Sequence, residues 1–297
     1  MPRRLRISTR SSALARWQAQ RVASLLSVDT ELVLVDTAGD RMADRPIHEI
    51  GGQGVFVKEV QAALLRGDAD IAVHSAKDLP SGPSPDGLML ACVPERDEPW
   101  DALVGASLAD LAPGATVATG SVRRRAQLGH ARPDLVFVEL RGNMATRLTK
   151  VPPGGAVVVA LAALRRLGWT QQVAQVLDAA VMLPQVAQGA LAVECRAGDG
   201  EAMALLAPLE DGAARRAVDA ERAFLAELGS GCDLPVASLA TIEGGDVSVA
   251  GLVASVDGTT VVRAADRGAD GVAVGRRLAR HLLDDRGVGA LLHRQQG

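Results

Sequence analysis

The feature that most constrains this chain is an alternation of short apolar runs with amphipathic stretches of helical period. Near the start, "LRIST" (5–9), "ELVLVD" (31–36) and "DIAVH" (70–74) read as strands. Between them, "SSALARWQAQRVASLL" and "VFVKEVQAALLRG" carry apolar residues at a period close to 3.6, which predicts helices. Strands that alternate with helices predict an α/β domain with a mostly parallel sheet.

The same alternation recurs in the middle of the chain and then gives way to another pattern. There "ATVATG", "DLVFVEL" and "GGAVVVALAALRRLG" again read as strands and helices. A long helix over about 212–228 then precedes three β-like runs and a terminal helix. We interpret the proline-containing, charged segment "PERDEPWDALV" as the first crossing between domains. The pattern predicts α/β domains followed by a small α+β domain.

Composition argues against several classes of partner. The 297 residues carry a net charge of −3, 2% of them are aromatic and none is tyrosine. Because nucleic-acid binders are usually basic and offer aromatic platforms for base stacking, we expect no nucleic-acid partner. We find no signal peptide and no apolar run of membrane-spanning length, so we expect no membrane association.

Arginines recur just after predicted strands. In open α/β sheets ligands bind beyond the carboxyl ends of the strands, and guanidinium groups bind carboxylates there in a fork. Together with the turn Gly120–Ser121, the pattern predicts a site for an anion with many carboxylates or phosphates. The alternative is that each arginine lies on a solvated helix surface. The arginines concerned are Arg10, Arg123, Arg124, Arg125, Arg141, Arg147, Arg165 and Arg166.

The three cysteines fall into two kinds of sequence. Cys92 and Cys195 follow apolar runs and are predicted to pack in the core. Cys232 lies in "GSGCDLP", where flanking glycines leave a thiol open to act as a nucleophile or attachment point, unless it is an incidental loop cysteine. An odd number of cysteines indicates a reducing cytoplasm, and the absence of CxxC or HExxH patterns argues against a metal site.

An acid follows one of the predicted buried strands. Lys77 and Asp78 come after "DIAVH", and Pro80 directs the preceding residue away from helical conformation. The pair is therefore predicted on a loop at the carboxyl end of the strand. There Asp78 can stabilise a cation formed from a substrate or move protons, unless both residues are only solvated loop charges.

Taken in order, these segments resemble the porphobilinogen deaminase family, also called hydroxymethylbilane synthase. The segments that carry the resemblance are "RISTRSSALARWQA", "GGQGVFVKE", "DIAVHSAKDLP", "TGSVRRRAQL", "LRGNMATRL", "AALRRLG", "QGALAVECR" and "GSGCDLPVA". They cover nearly the whole chain, and the ordered set is far more specific than any one segment.

The resemblance implies a transferase of tetrapyrrole (haem) biosynthesis with three domains. Two lobes with mostly parallel sheets, like those of periplasmic binding proteins, are expected over residues 1–95, with a return segment 188–208, and over residues 99–185. A third domain, residues 212–297, is expected to attach the cofactor. The implied reaction joins four porphobilinogen units head to tail with loss of ammonia, and hydrolysis releases the linear hydroxymethylbilane. A cytoplasmic monomer is expected.

The resemblance also implies roles for individual residues. It implies a dipyrromethane cofactor joined by a thioether to Cys232, with Asp78 as the catalytic acid beside the reacting pyrroles. The cofactor and the growing chain would bring about twelve carboxylates into one site, and their mutual repulsion requires many cations. Cofactor contacts are implied for Lys77, Asp78, Ser121, Arg123, Arg124 and Gln188, and substrate contacts for Arg10, Lys58, Arg141, Arg147 and Arg166.

Departures from the family pattern and rival functions stay open. Gln53 stands in "GGQG" where many family members have lysine, and Ser230 stands in "GSGC" where glycine is frequent. A non-enzymatic two-lobed binding protein would explain the arginines but neither Cys232 nor the third domain. A regulatory protein that senses a polyanionic metabolite is the second rival. Both rivals predict an unmodified polypeptide mass, whereas the enzyme predicts a two-pyrrole adduct.

Overall fold

The computed structural model describes residues 4–37, 39, 54, 56–229 and 234–293. The chain forms two compact units: unit 1 is Met1–Asp97 with Gly189–Arg215, and unit 2 is Glu98–Gln188 with Arg216–Gly297. The first crossing between the units falls within "PERDEPWDALV".

Thirteen strands and nine α-helices are present in the described ranges. The strands are β1 Leu5–Arg10, β2 Thr30–Val35, β3 Ile71–Ser75, β4 Leu88–Cys92, β5 Asp101–Gly105, β6 Thr116–Ala118, β7 Val136–Val138, β8 Ala156–Ala160, β9 Val173–Leu177, β10 Leu191–Arg196, β11 Val236–Glu243, β12 Asp246–Ala254 and β13 Val261–Gly268. The helices are α1 Ala13–Leu25, α2 Lys58–Leu65, α3 Val122–Ala131, α4 Met144–Leu148, α5 Leu161–Arg166, α6 Gly200–Leu206, α7 Gly212–Glu227, α8 Gly271–Arg280 and α9 Gly289–His293.

The sheet of unit 1 has the strand order β2-β1-β3-β10-β4. β1 is parallel to both β2 and β3, with Leu5 opposite Thr30 and Ile7 opposite Ile71. β10 alone runs against its neighbours β3 and β4. Helix α1 begins after Ser12, whose side chain accepts a hydrogen bond from the main chain of the first turn. Four parallel strands and one antiparallel strand make the mostly parallel sheet that the sequence predicted.

The first sheet of unit 2 repeats this arrangement. Its order is β7-β6-β8-β5-β9, with β6 parallel to β7 and β8, and β5 antiparallel to β8 and β9. In both sheets the antiparallel strand is the fourth across the sheet, β10 in unit 1 and β5 here. Because β6, β7 and β8 are parallel, the loops that follow them and lead into α3, α4 and α5 lie at one edge of the sheet.

The C-terminal part of unit 2 forms a three-stranded antiparallel sheet, β11-β12-β13. Helices α7 and α8 pack their apolar side chains against it, with Phe224, Leu278 and Val249 among the fully buried residues. The helix predicted over about 212–228 is α7. The three sheets confirm the predicted class, two α/β lobes and a small C-terminal α+β part.

Each lobe has its own apolar core. In unit 1, Ile7, Ile71 and Val193 pack together across neighbouring strands, and in unit 2 Leu103, Val117 and Val158 do the same. Burial of such side chains is the main favourable term for each lobe. Within the described ranges, no helix has both the length and the hydropathy that crossing a bilayer requires.

Cys92 and Cys195 are both fully buried, as the sequence predicted. Burial raises the pKa of the Cys92 thiol to about 12, and the nearby Glu210 carboxylate adds to the effect. Burial also raises the pKa of the Cys195 thiol.

Because the thiolate is the reactive form, we expect Cys92 to resist alkylation in the folded protein at pH 8, where it remains protonated. Mass mapping after iodoacetamide treatment, with and without urea, measures this. Rapid labelling of Cys92 in the folded protein would contradict the burial that the structure shows.

Candidate active site

In unit 1, three of the predicted site residues lie where β1 and β3 end. Arg10 is the last residue of β1, and its guanidinium carbon lies 4.2 Å from the centroid of the Phe56 ring. Lys77 and Asp78 belong to a 3₁₀ turn, Ala76–Asp78, that directly follows β3. Since β1 and β3 are parallel neighbours, their carboxyl ends place these residues at the same edge of the sheet.

The turn that carries Asp78 is tied to the elements on either side of it. Ala76 N donates to Ala190 O at 3.0 Å, just before β10 begins. Gln18 Nε2 of α1 donates to the hydroxyl of Ser75 at 2.8 Å. Asp78 itself is half-buried. The carboxylate is therefore held on an ordered turn and remains accessible to a ligand.

Lys58 is the exposed first residue of α2 and lies near the same turn. A Cβ built on Gly54 would lie 3.6 Å from Lys58 Cε and 3.9 Å from Pro80 Cγ. Lys58 and Pro80, which closely follows the turn, therefore both lie beside Gly54. One helical turn further on, Gln61 Nε2 donates to both carboxylate oxygens of Glu194 in β10, at 2.9 and 3.0 Å. This buried contact fixes α2, and with it Lys58, against the sheet.

In unit 2, Arg123 and Arg124 share one fully buried carboxylate. Arg123 Nη2 donates to Asp101 Oδ2 at 2.8 Å, while Arg124 Nε and Nη2 donate to Oδ1 at 3.0 and 2.7 Å. The two Nη1 groups donate to the main-chain oxygens of Leu183 and Val158, at 2.7 and 3.0 Å. Because two guanidinium charges face a single carboxylate, one positive charge remains unbalanced in this cluster.

Gln188 completes this cluster. Its Nε2 donates to Asp101 Oδ1 at 2.9 Å and to Pro99 O at 2.7 Å. Burial alone would raise the pKa of Asp101, but the charges of Arg123 and Arg124 and the hydrogen bonds from Gln188 and Arg124 outweigh it and hold the pKa well below its usual range. Asp101 is thus ionised at neutral pH and orients both arginines.

The same edge of the sheet carries Ser121 and the start of α3. Ser121 follows β6 and caps α3, accepting a hydrogen bond at its Oγ from Arg124 N at 3.4 Å. Asp101 opens the antiparallel strand β5 and pairs with Ala160 at the carboxyl end of β8. The topology therefore brings the helix N-terminus, the arginines and Asp101 together.

Three further arginines predicted as substrate contacts follow β7 and β8. Arg141 Nε lies 2.8 Å from Glu139 Oε1, in ion-pair contact but without hydrogen-bond geometry. Arg147 Nε donates to Gly142 O at 2.8 Å, which folds the side chain of α4 back onto the loop that precedes it. Arg166 is buried at the end of α5.

The structure adds residues that sequence reasoning missed. The sequence analysis places Asp101 in a charged crossing segment, whereas in the structure Asp101 is the first residue of β5, at the start of the apolar run "DALV". In unit 1, His74 Nε2 lies 3.1 Å from Glu194 Oε2, and both residues are buried. Cys232 and Gln53, both singled out in the sequence, lie outside the described residues.

Together, these features define a class: an α/β protein of two lobes whose sheet edges gather cations suited to a polycarboxylate ligand, with a half-buried acid in one lobe. Two family descriptions match the chain: "Porphobilinogen deaminase, dipyromethane cofactor binding domain" over residues 5–204 and "Porphobilinogen deaminase, C-terminal domain" over residues 215–284. The chain belongs to the porphobilinogen deaminase family. It is a transferase of tetrapyrrole biosynthesis that uses a dipyrromethane cofactor, as the resemblance implied.

Relatives match along almost the full length. Porphobilinogen deaminase of Pelobacter propionicus is 46% identical over 88% of this chain and 87% of its own. Porphobilinogen deaminase of Syntrophus aciditrophicus is 44% identical over 99% of each chain. A solved TRAP periplasmic solute binding protein from Desulfovibrio salexigens is 12% identical, with a TM-score of 0.38 over 69% of this chain and 72% of that chain. A TM-score this low supports no inference about ligands.

The cluster in unit 2 fits the acidic side chains of a dipyrromethane. Arg123 Nε is buried and, within the part of the chain that the structure describes, has no hydrogen-bond partner. A buried donor without a partner is costly, and a carboxylate is the acceptor that a guanidinium binds best. The unbalanced positive charge beside Ser121 points to the same kind of ligand.

Proposed function

We propose that Asp78 is the catalytic acid of a porphobilinogen deaminase reaction. The observation that carries the proposal is the half-buried position of this carboxylate on a tethered turn at a sheet edge that also carries Arg10 and Lys77. A carboxylate there accepts hydrogen bonds from pyrrole N–H groups and stabilises the positive charge that develops on the substrate as ammonia leaves. It also moves the proton lost when the new carbon–carbon bond has formed.

The other proposed site residues bind the cofactor, the incoming substrate or the growing chain. We assign Lys77 to the cofactor, and Arg10 and Lys58 to carboxylates of the incoming substrate. In unit 2, we assign Ser121, Arg123, Arg124 and Gln188 to the cofactor, and Arg141, Arg147 and Arg166 to the growing chain. Arginine suits these positions because it stays charged and binds carboxylates in a fork. When bound, the dipyrromethane supplies the pyrrole carbon from which the chain grows.

Three further features belong to this proposal. Cys232 attaches the cofactor through a thioether, in a third domain over residues 212–297. The first two domains comprise residues 1–95 with 188–208, and residues 99–185. The enzyme acts as a monomer in the cytoplasm, without a nucleic-acid or membrane partner.

Mass spectrometry of the denatured protein tests the function. The purified protein is expected to be heavier than its sequence by a two-pyrrole adduct. Brief exposure to a small excess of porphobilinogen should add further species, spaced by one pyrrole unit. A binding protein or a metabolite sensor would keep the unmodified mass throughout, and that result would refute the proposal.

We expect Arg147→Ala to slow chain growth, since it removes a charged donor for a substrate carboxylate. A lost charge-assisted hydrogen bond corresponds to a rise in KM of about 10- to 100-fold. Steady-state kinetics and the distribution of pyrrole-unit species measure the effect. Arg125→Ala is the control, because Arg125 is exposed on α3 and has no role in the proposal. Equal kinetics for the two variants would remove Arg147 from the site.

A further inference from the structure

A second buried acid in unit 2 lies behind the cluster formed by Arg123, Arg124, Asp101 and Gln188. Glu221 of α7 is fully buried, and its two carboxylate oxygens accept main-chain hydrogen bonds from different segments. Oε2 accepts from Ala187 N at 2.5 Å, and Oε1 accepts from Ala240 N of β11 at 2.8 Å. Glu221 therefore joins α7 and β11 to the residue that immediately precedes Gln188.

Ala187 has an unusual backbone conformation. Its φ is +59°, the only positive φ among the described residues other than glycine. Gln188 N donates to Gln185 O at 2.9 Å, which closes a four-residue turn whose third residue is Ala187. Turns with a positive φ at that place normally carry glycine, because a Cβ disfavours this conformation. A strained residue of this kind persists only where its surroundings hold it.

The turn decides where the side chain of Gln188 points. Gln188 Nε2 reaches Asp101 Oδ1 and Pro99 O, and Asp101 in turn orients Arg123 and Arg124. A change of φ at Ala187 would rotate the next peptide and carry the Gln188 side chain away from Asp101. Among the contacts of the described residues, the hydrogen bond that Ala187 N donates to Glu221 opposes such a change directly at residue 187.

We propose that Glu221 is a positioning residue for the cofactor arginines: it holds Ala187 in the left-handed conformation and thereby sets Gln188 against Asp101. The inference rests on the proposed role of Arg123 and Arg124 in binding the cofactor. Glu221 touches neither cofactor nor substrate in this proposal. It connects α7, which leads toward Cys232 in the sequence, to the cluster expected to receive the cofactor's carboxylates.

Glu221→Gln tests this, because an amide keeps the shape but has one acceptor oxygen where two donors must be met. We expect the fraction of protein that carries the two-pyrrole adduct to fall and the KM for porphobilinogen to rise about tenfold, the usual effect of one unsatisfied buried donor. Glu227→Gln is the control and should behave like wild type, because Glu227 is a half-buried acid of the same helix that pairs with Arg280 and has no contact with Ala187 among the described residues.

Suppression separates positioning from a general structural role. Glycine adopts positive φ without penalty. The double variant Ala187→Gly with Glu221→Gln should therefore have a KM about threefold lower than Glu221→Gln alone, and a higher fraction of protein with the adduct. Ala180→Gly, a glycine at an exposed position without positive φ, should recover nothing. If Glu221→Gln fails to fold, Glu221→Asp in the same two backgrounds supplies the comparison, because its shortened side chain weakens the two contacts without removing the charge.

Equal effects of the two glycine substitutions would overturn the proposal, as would wild-type adduct and KM in Glu221→Gln. Arg124→Ala distinguishes this failure from a failure of the proposed function. If Arg124→Ala keeps the full adduct and a wild-type KM, the arginines do not bind the cofactor. If it loses both while the glycine substitutions act alike, the arginine assignment stands and the role of Glu221 does not.

Discussion

Replacing Asp78 with asparagine is expected to lower kcat by about 10²- to 10⁴-fold, the range typical of a lost general acid or base. The amide still occupies the turn after β3, so the fold and the contacts from Ala76 and Ser75 should persist. It cannot supply a negative charge to the substrate cation, nor can it take up a proton. Turnover of porphobilinogen under saturating conditions measures the effect.

Two further measurements make the result specific to Asp78. If the variant is loaded with cofactor before the assay, the denatured protein should still carry the two-pyrrole adduct, with the same mass increment as wild type. Asp86→Asn, which changes an exposed carboxylate in the loop before β4, should leave kcat unchanged. If Asp78→Asn turned over porphobilinogen within twofold of wild type, another group would have to be the acid.

Cys232→Ser should abolish both the adduct and the activity. A serine hydroxyl is a far weaker nucleophile than a thiol at neutral pH, so the thioether cannot be replaced under the same conditions. The denatured variant is expected at the mass of its unmodified sequence, and exposure to porphobilinogen should produce no species spaced by one pyrrole unit.

A buried cysteine, Cys195, provides the matched control. Cys195→Ala removes a thiol that is fully buried and whose pKa burial raises, so the adduct should remain on the protein. An adduct that survived in Cys232→Ser and disappeared in Cys195→Ala would place the attachment elsewhere.

Much of the fold could be predicted because its signals are local. "LRIST", "ELVLVD" and "DIAVH" became β1, β2 and β3, and the periodic stretches between them became α1 and α2. Strand β5 is missing from the predicted elements, because Pro99 and the charges before it obscure a short apolar run. Its antiparallel direction depends on pairing with β8, fifty or more residues away, which a local pattern does not encode.

The candidate site shows the same division. The rule that ligands meet the carboxyl ends of parallel strands predicts Arg10, Asp78, Arg123 and Arg141 from the sequence alone. The partners of those residues did not follow from it. Arg123 and Arg124 could have faced solvent, a ligand or any acid of the chain, and their choice of Asp101 requires β5 to lie beside β8.

By itself, the sequence determined the order of strands and helices, the family and the candidate cations, since each depends on neighbours along the chain or on ordered segments. Only the tertiary structure decided that Asp101 orients two arginines and that Glu221 holds Ala187 in a left-handed turn. The physical reason is that a buried hydrogen bond depends on distance and direction in space. Residues 34 positions apart, such as Ala187 and Glu221, acquire that geometry only when the chain has folded.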